Sequence, residues 1–420
     1  MRKSILLTSF IALLIISCTP TYMVVFSGSQ GGSVSTPGGE FDEGSTVSVT
    51  AQPDAEYEFE RWSDGSTQST RTLTVLEALN LTAYFVKKQY EFTVNVQGEG
   101  TVKQDVIVQG SKINSGTELR LTASPSDNWE FSNWIGDVES TDNPIIVKID
   151  GTKAITAIFK RQNPIILDDN GVTLKVKEFA QVGEIWNYNG IDYLIVNESM
   201  LREMVANNQD VSKVITTFVD DMSNLFLNNR DFNLDIGAWD VANVKNMSGM
   251  FRGAITFNTP IDKWNTSNVT NMSSMFKGAN QFNQDISEWD LSQVFSTFEM
   301  FFGAFRFNQD ISSWDVGNVI DMGEMFGATI DFNQDIGGWN VSNAQSMKAM
   351  FAVANSFNQD ISNWDVSKVT NMAGMFIETK AFNQDLSNWN VNMVTYCLNF
   401  ASYTPEWILP KPNFLYCEQD

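Results

Sequence analysis

The 420-residue chain contains no histidine. Ser-His-Asp triads, Cys-His pairs and His-ligated zinc are therefore excluded, and with them much of hydrolase and metalloprotease chemistry. No Gly-rich loop runs into Lys-Ser or Lys-Thr, so the phosphate-cradling loop is missing too. Basic residues are in deficit, with 27 Lys and Arg against 50 Asp and Glu and a formal net charge of −23. That balance argues against nucleic acid and against electrostatic docking on anionic lipid. Beyond residue 18 no apolar stretch approaches the roughly 20 residues of a spanning helix. Cysteine is limited to Cys18, Cys397 and Cys417.

What is present begins with Met1-Arg2-Lys3, a short apolar stretch from Ser4 to Ile16, and Ser17-Cys18. A basic start, an apolar stretch and a small residue describe a secretory signal peptide over 1–17. Ile15-Ile16-Ser17-Cys18 resembles a bacterial lipobox. That resemblance implies cleavage before Cys18, acylation of Cys18, and a lipid-anchored N-terminus over 18–21. Thr19 in place of Asp favours the outer membrane over inner-membrane retention. In such an oxidising compartment Cys397 and Cys417 are expected to form a disulfide.

Residues 22–87 and 88–161 form two related units. Gly44, Ala51, Pro53, Phe59 and Trp62 recur as Gly116, Ala123, Pro125, Phe131 and Trp134, all offset by 72. Alternation such as Val47-Ser48-Val49-Thr50-Ala51 has the period of a half-buried strand, and Gly-Gly and Asp-Gly pairs punctuate the units as turns. The phrase GSTVSVTA followed by Pro53, Tyr57, Phe59 and Trp62 resembles the divergent internalin-type B repeat of bacterial surface proteins. The resemblance implies small β-rich, β-grasp-like modules used as spacers. Residues 162–206 are expected to supply short strands, a short helix over Asn197 to Ala206, and an N-terminal cap for the C-terminal half of the chain.

Tryptophan then falls at 239, 264, 289, 314, 339, 364 and 389, always 25 residues apart. A degenerate copy upstream has Val214 at the same position, which makes about eight coils over 207–402. In one coil Ile361, Trp364, Val366 and Val369 follow the leucine-rich-repeat spacing with Trp substituted. Alternation predicts a short strand over Asn363 to Val366. Met372, Met375 and Phe376, at i, i+3 and i+4, predict one helical turn. The fold class expected is therefore multidomain: two β-rich modules, then an α/β leucine-rich-repeat-like solenoid with Trp, Met and Phe ladders as a shared core. Residues 403–420, with Pro405, Pro410 and Pro412, are expected to form a C-terminal cap.

Three polar rows accompany the core. Asn follows every Phe seven residues before Trp, as at Asn283, Asn308 and Asn358, and a ladder bonding the neighbouring coil's backbone is expected. Asp235, Asp285, Asp310, Asp335, Asp360 and Asp385 precede Trp by four residues, with Pro260 the exception. Asp240, Asn265, Asp290, Asp315, Asn340, Asp365 and Asn390 follow it. Strand alternation would turn this last row outward. It can then be a solvated face bonding local backbone, a binding face centred on Asp240, Asp290, Asp315 and Asp365, or a calcium bridge between coils. Calcium wants about six to eight oxygens, and the dense Gly-Asp spacing of calcium β-rolls is missing.

The repeat FNQDISNWDVSKVTNMAGMF (Phe357 to Phe376) resembles the BspA-like leucine-rich repeats of bacterial surface lipoproteins. The resemblance implies a surface or envelope protein associated with attachment to host matrix proteins or other cells. It transfers no ligand, because the repeated residues are mainly scaffold. Recognition of a protein or glycan would fall to positions that vary, such as Lys263, Glu288, Arg306 and Glu378. The alternative is a structural or scaffold protein of the envelope without a soluble ligand. No catalytic residue, metal or cofactor is assigned: a carboxylate repeated in nearly every coil is a ladder, whereas a glycosidase needs one unequal pair.

Overall fold

A computed structural model describes residues 19–105 and 112–418. The expected signal peptide over 1–17 and Cys18 lie outside the described residues. The chain forms two compact units, one ending at Gln162 and the other starting at Asn163.

The first unit holds two modules of identical strand layout. Module 1 contains β1 (Thr21–Gly28), β2 (Gly32–Val34), β3 (Gly38–Asp42), β4 (Thr46–Pro53), β5 (Tyr57–Trp62), β6 (Thr70–Thr74) and β7 (Leu79–Lys87). They pair as a sheet of order β3-β1-β7-β5 facing a sheet of order β2-β4-β6. Module 2 repeats this with β8 (Gln89–Gln97), β9 (Gly100–Gln104), β10 (Lys112–Asn114), β11 (Glu118–Pro125), β12 (Trp129–Gly136), β13 (Ile145–Lys148) and β14 (Lys153–Arg161). In each, the first and last strands run parallel. Alternation drives the burial: Val47, Val49 and Ala51 face inward while Thr46 and Ser48 face water. Trp62 and Trp134 are fully buried. Their indole N–H groups donate to the carbonyls of Gln68 and Asp142 at 2.9 and 3.0 Å, so neither buries an unmet donor. Neither module contains a helix among its described residues.

The second unit opens with the hairpin β15 (Ile165–Leu167) and β16 (Leu174–Val176), then β17 (Ile185–Tyr188), β18 (Ile191–Asn197), α1 (Glu198–Ala206) and β19 (Val214–Phe218). Asn197 caps α1 by accepting from the Met200 N–H at 3.0 Å. Leu201 is buried against the first coil's core. Arg202 donates to the carbonyls of Asp221 and Ser223 at 3.3 and 2.8 Å. In later coils the equivalent carbonyls accept N–H groups from the coil before, so this guanidinium stands in for an absent coil.

The coils themselves correct the α/β expectation. Among the described residues α1 is the one helix, and no coil contains a helix or a multi-residue strand beyond β19. Each coil is a series of β-turns. The N–H of Trp364 bonds the Ile361 carbonyl, that of Val369 bonds Val366, and that of Met375 bonds Met372, at 3.1, 3.0 and 3.1 Å. The spacing of three between apolar residues is thus the span of a turn, with two outward residues between inward ends. The Met372-Met375-Phe376 pattern imitates a helical face for the same reason. A helix is prevented because Gly374 and Glu378 take φ of 62° and 57°. The N–H groups of Met372, Gly374, Phe376 and Glu378 leave the coil and donate to Tyr396, Leu398, Phe400 and Ser402 of the next, at 2.7–2.9 Å. Among the described residues, the β-bridging between these coils is a row of single-residue parallel bridges, running from Asp221 through Asn246, Asn271, Ser296, Asp321, Ser346 and Asn371 to Tyr396. It lies seven residues after the tryptophan rather than at it.

Inside, rings stack in columns. Successive tryptophans such as Trp339 and Trp364 lie 6.4 Å apart and 2° from parallel. Phe351 stacks on Phe357 of the following coil at 4.0 Å. At the far end Trp407 turns edge-on to Phe376 and Phe382, at 5.2 and 4.7 Å, and closes the columns. Phe414 packs on Phe400 at 4.9 Å, and a Cys397–Cys417 disulfide ties this tail to the last coil.

Candidate binding surface of the solenoid

The repeated polar side chains are occupied in building the coil. In the coil that starts at Phe357, each of the three inward turns is preceded by an Asp or Asn whose Oδ1 accepts the N–H two residues on. Asp360 accepts from Ser362, Asp365 from Ser367 and Asn371 from Ala373, at 2.9, 3.0 and 3.1 Å. The same bond recurs from Asp235, Asp285, Asp310, Asp335 and Asp385. The row after Trp makes it from Asp240, Asp290, Asp315 and equally from Asn265 and Asn340. An Asp or Asn in this role offers the backbone a local partner that a tight turn lacks. The third row, Asn246, Asn271, Asp321 and Asn371, was not recognised in the sequence. Its signal is the same acceptor immediately before a turn's first apolar residue.

These bonds set the carboxylates' chemistry. The Ser287 N–H holds the Asp285 carboxyl below its ordinary value, as the Ser312 N–H does for Asp310. The hydroxyls of Ser362, Ser367 and Ser387, with their N–H groups, lower Asp360, Asp365 and Asp385. All remain charged at neutral pH. Among the described residues no three potential metal ligands gather into one cluster.

Asp290, Asp315 and Asp365 are exposed, but Asp240 is 5% exposed. The β15–β16 hairpin lies over the early coils: the Leu174 N–H bonds the Ala238 carbonyl at 2.9 Å, and Asn170 donates to the Lys263 carbonyl at 3.1 Å. The outward face therefore excludes Asp240. Trp239, Trp264, Trp289, Trp314, Trp339, Trp364 and Trp389 are all buried. Each donates its indole N–H backward, as Trp289 does to Ile261 and Trp364 to Ile336, at 3.1 and 3.0 Å. Each of the seven indoles thus ties its coil to the one before, a bond that an aliphatic residue could not make.

Asn283, Asn308 and Asn358 form a ladder, but half-buried or exposed rather than enclosed. The N–H of Asn308 donates to Asn283 Oδ1 at 3.0 Å, and that of Asn383 to Asn358 Oδ1 at 2.8 Å. Gln309 reaches back to the Asn283 carbonyl at 3.0 Å. Beside the N-terminal cap, a cavity of about 350 Å³ opens among Val205, Phe226, Phe232 and Leu234. The variable residues Lys263, Glu288, Arg306 and Glu378 are exposed.

No curated protein and no solved structure matches the chain. Residues 22–89 and 90–163 match the family model described as divergent InlB B-repeat domain. Residues 197–314 and 299–404 match the one described as Mycoplasma protein of unknown function, DUF285. The second match is not to a leucine-rich repeat, in keeping with coils that have neither that repeat's strand nor its helix. The chain carries two divergent InlB B-repeat domains followed by DUF285 repeats, a pairing consistent with a cell-surface protein.

Proposed function

We propose that this chain is a lipid-anchored recognition protein of the bacterial surface, held through Cys18 and binding a protein or glycan of a host matrix or another cell through its solenoid, without turnover. One observation carries the reading. The repeated Asp and Asn rows and the Asn–Gln ladder are engaged in the fold, so recognition of a partner falls to the outward residues that change from coil to coil. The unit-to-unit equivalence of the two N-terminal modules supports a spacer role for them. No helix among the described residues is long and apolar enough to cross a membrane.

Protease treatment of intact cells, with lysed cells as control, tests it. Cleavage of the solenoid on intact cells is expected, followed by saturable host-protein or glycan binding that is lost when 207–402 are deleted. Protection until lysis would replace this reading with that of an internal envelope scaffold.

A further inference from the structure

Coil 4 (residues 282–306) departs from the outward pattern of its neighbours. Where coil 3 (257–281) has Thr270, Ser273, Lys277 and Asn280, coil 4 has Phe295, Phe298, Phe302 and Phe305. The core does not ask for these rings, since its own columns are supplied by the fully buried Phe282 and Phe301. Phe295 is 48% and Phe305 44% exposed. Phe298 and Phe302 are half-buried, lying over bare backbone of coil 5 (307–331). A Cβ on Gly327 would come within 2.7 Å of the Phe302 ring, and one on Gly323 within 3.2 Å of Phe298. Exposed Ile320 extends the strip beside Phe295, to whose carbonyl its N–H donates at 2.9 Å.

The solenoid's acidity collects in the same two coils. Coil 4 carries Asp285, Glu288, Asp290 and Glu299 against Arg306, a net of −3, with Glu299 paired to Lys277 of coil 3, whose ammonium lies 5.0 Å over the Phe302 ring. Coil 5 carries Asp310, Asp315, Asp321, Glu324 and Asp331 with no lysine or arginine, a net of −5. Coil 3, with Asp262, Lys263 and Lys277, sums to +1, and coil 6 (332–356), with Asp335 and Lys348, to zero. Adjacent coils stack closer than a Debye length, so these charges act as one field.

An exposed apolar strip marks an interaction surface, and an aromatic centre with a charged rim is the anatomy of a protein-binding hot spot. A field of this sign repels a second copy of a chain with net charge −23 and repels anionic lipid, while attracting a basic partner. We infer that coils 4 and 5 form the docking face for a cationic protein segment whose apolar side chains settle on Phe295, Phe298, Phe302 and Phe305. This rests on the recognition reading above.

The test titrates the full chain with a labelled amphipathic peptide of lysine and leucine. Its partner is an F295T/F298S/F305N variant, which carries at those positions what coil 3 already accommodates. The expected result is binding that weakens with salt and is at least about tenfold weaker in the variant at unchanged melting temperature. Equal affinity in the two chains, or no binding by the parent, overturns the docking face. So does a parent chain that prefers the neutral polysaccharide laminarin to the peptide. Should the triple variant fail to fold, Phe295→Thr alone, at a solvent-facing ring, gives the same comparison. Equal peptide binding would leave surface recognition standing, whereas protease protection on intact cells would remove it whatever the peptide does.

Discussion

Trp314 offers the sharpest test of the stacked-turn core. Its side chain is 3% exposed and lies 6.2 Å from Phe301 and 6.3 Å from Trp339, centroid to centroid. Its indole N–H donates to the Ile286 carbonyl of the preceding coil at 3.0 Å. Trp314→Ala removes both the ring and the bond, and truncation of a buried aromatic costs about 3–5 kcal/mol. Trp314→Phe keeps most of the ring but loses the donor. The Ile286 carbonyl still accepts the Trp289 N–H at 3.2 Å, so it is only half deprived. The cost of the lost bond is therefore about 1 kcal/mol, at the low end of the range for an unmet buried group. Because each coil touches only its neighbours, a defect in coil 5 should also weaken the coupling between the coils on either side. Urea unfolding followed by far-UV circular dichroism reads both effects: a lower midpoint, and a broadened or split transition in the alanine variant. An unchanged midpoint in Trp314→Ala would refute the shared core. A phenylalanine variant as damaged as the alanine one would show that the hydrogen bond, and not ring packing, dominates.

Asp365→Asn preserves the Oδ1 that the Ser367 N–H needs and should lower the urea midpoint less than Asp365→Ala does. Asp365→Ala should cost about 0.5–1 kcal/mol, kept small by exposure; equal losses in the two would mean that charge, not the acceptor, holds the turn. Asp285, Asp310, Asp360, Asp365 and Asp385 have folded values below the ordinary 3.8. Their contribution is then complete above that value and lost as pH falls through the lower folded ones. Melting temperature should hold from neutrality to about pH 5 and fall below about pH 4, and a rise there would contradict the turn bonds. Val353 has φ 60° where coils 2 to 4 carry Gly253, Gly278 and Gly303. Relief of left-handed strain in Val353→Gly should outweigh glycine's entropy and raise stability by about 0.5–1 kcal/mol, and a lower melting temperature would count against strain at that position. Reduction of Cys397–Cys417 should release the tail and fray the last coil first, at a cost of up to about 3 kcal/mol. Hydrogen exchange should show this as faster exchange around Val394 to Phe400, with coils 4 and 5 unaffected.

The period, the coil number and the inward residues were legible because a core repeats whatever its backbone does. Ile361, Trp364, Val366, Val369, Met372, Met375 and Phe376 are all buried. The backbone between them was misread because a turn of span three and a helix of period 3.6 agree over a single turn. Gly249, Gly253, Gly278, Gly303 and Gly374 marked the left-handed positions, but Ser274, Glu299, Glu324 and Val353 stand at equivalent places and hid the rule. The Asp rows were visible as rows, yet their partners are backbone N–H groups, which a side-chain pattern does not display. Asp240 was assigned to the outward face because nothing in its own coil shows that a hairpin some 65 residues upstream covers it.

The turn geometry also separates what the fold demands from what it merely permits. A position whose Oδ1 must accept an N–H is served as well by Asn as by Asp. After the tryptophans, coils 3, 6 and 8 have Asn265, Asn340 and Asn390, while coils 4, 5 and 7 have Asp290, Asp315 and Asp365. Since Asn340 closes its turn on the Ser342 N–H just as Asp365 closes its own on Ser367, the negative charge of Asp290 in coil 4 and of Asp315 in coil 5 is not required by the architecture. The same holds for the four outward phenylalanines of coil 4, whose places no other coil fills with an aromatic ring. Two independent departures from the scaffold's needs, one of charge and one of apolar surface, meet in adjacent coils.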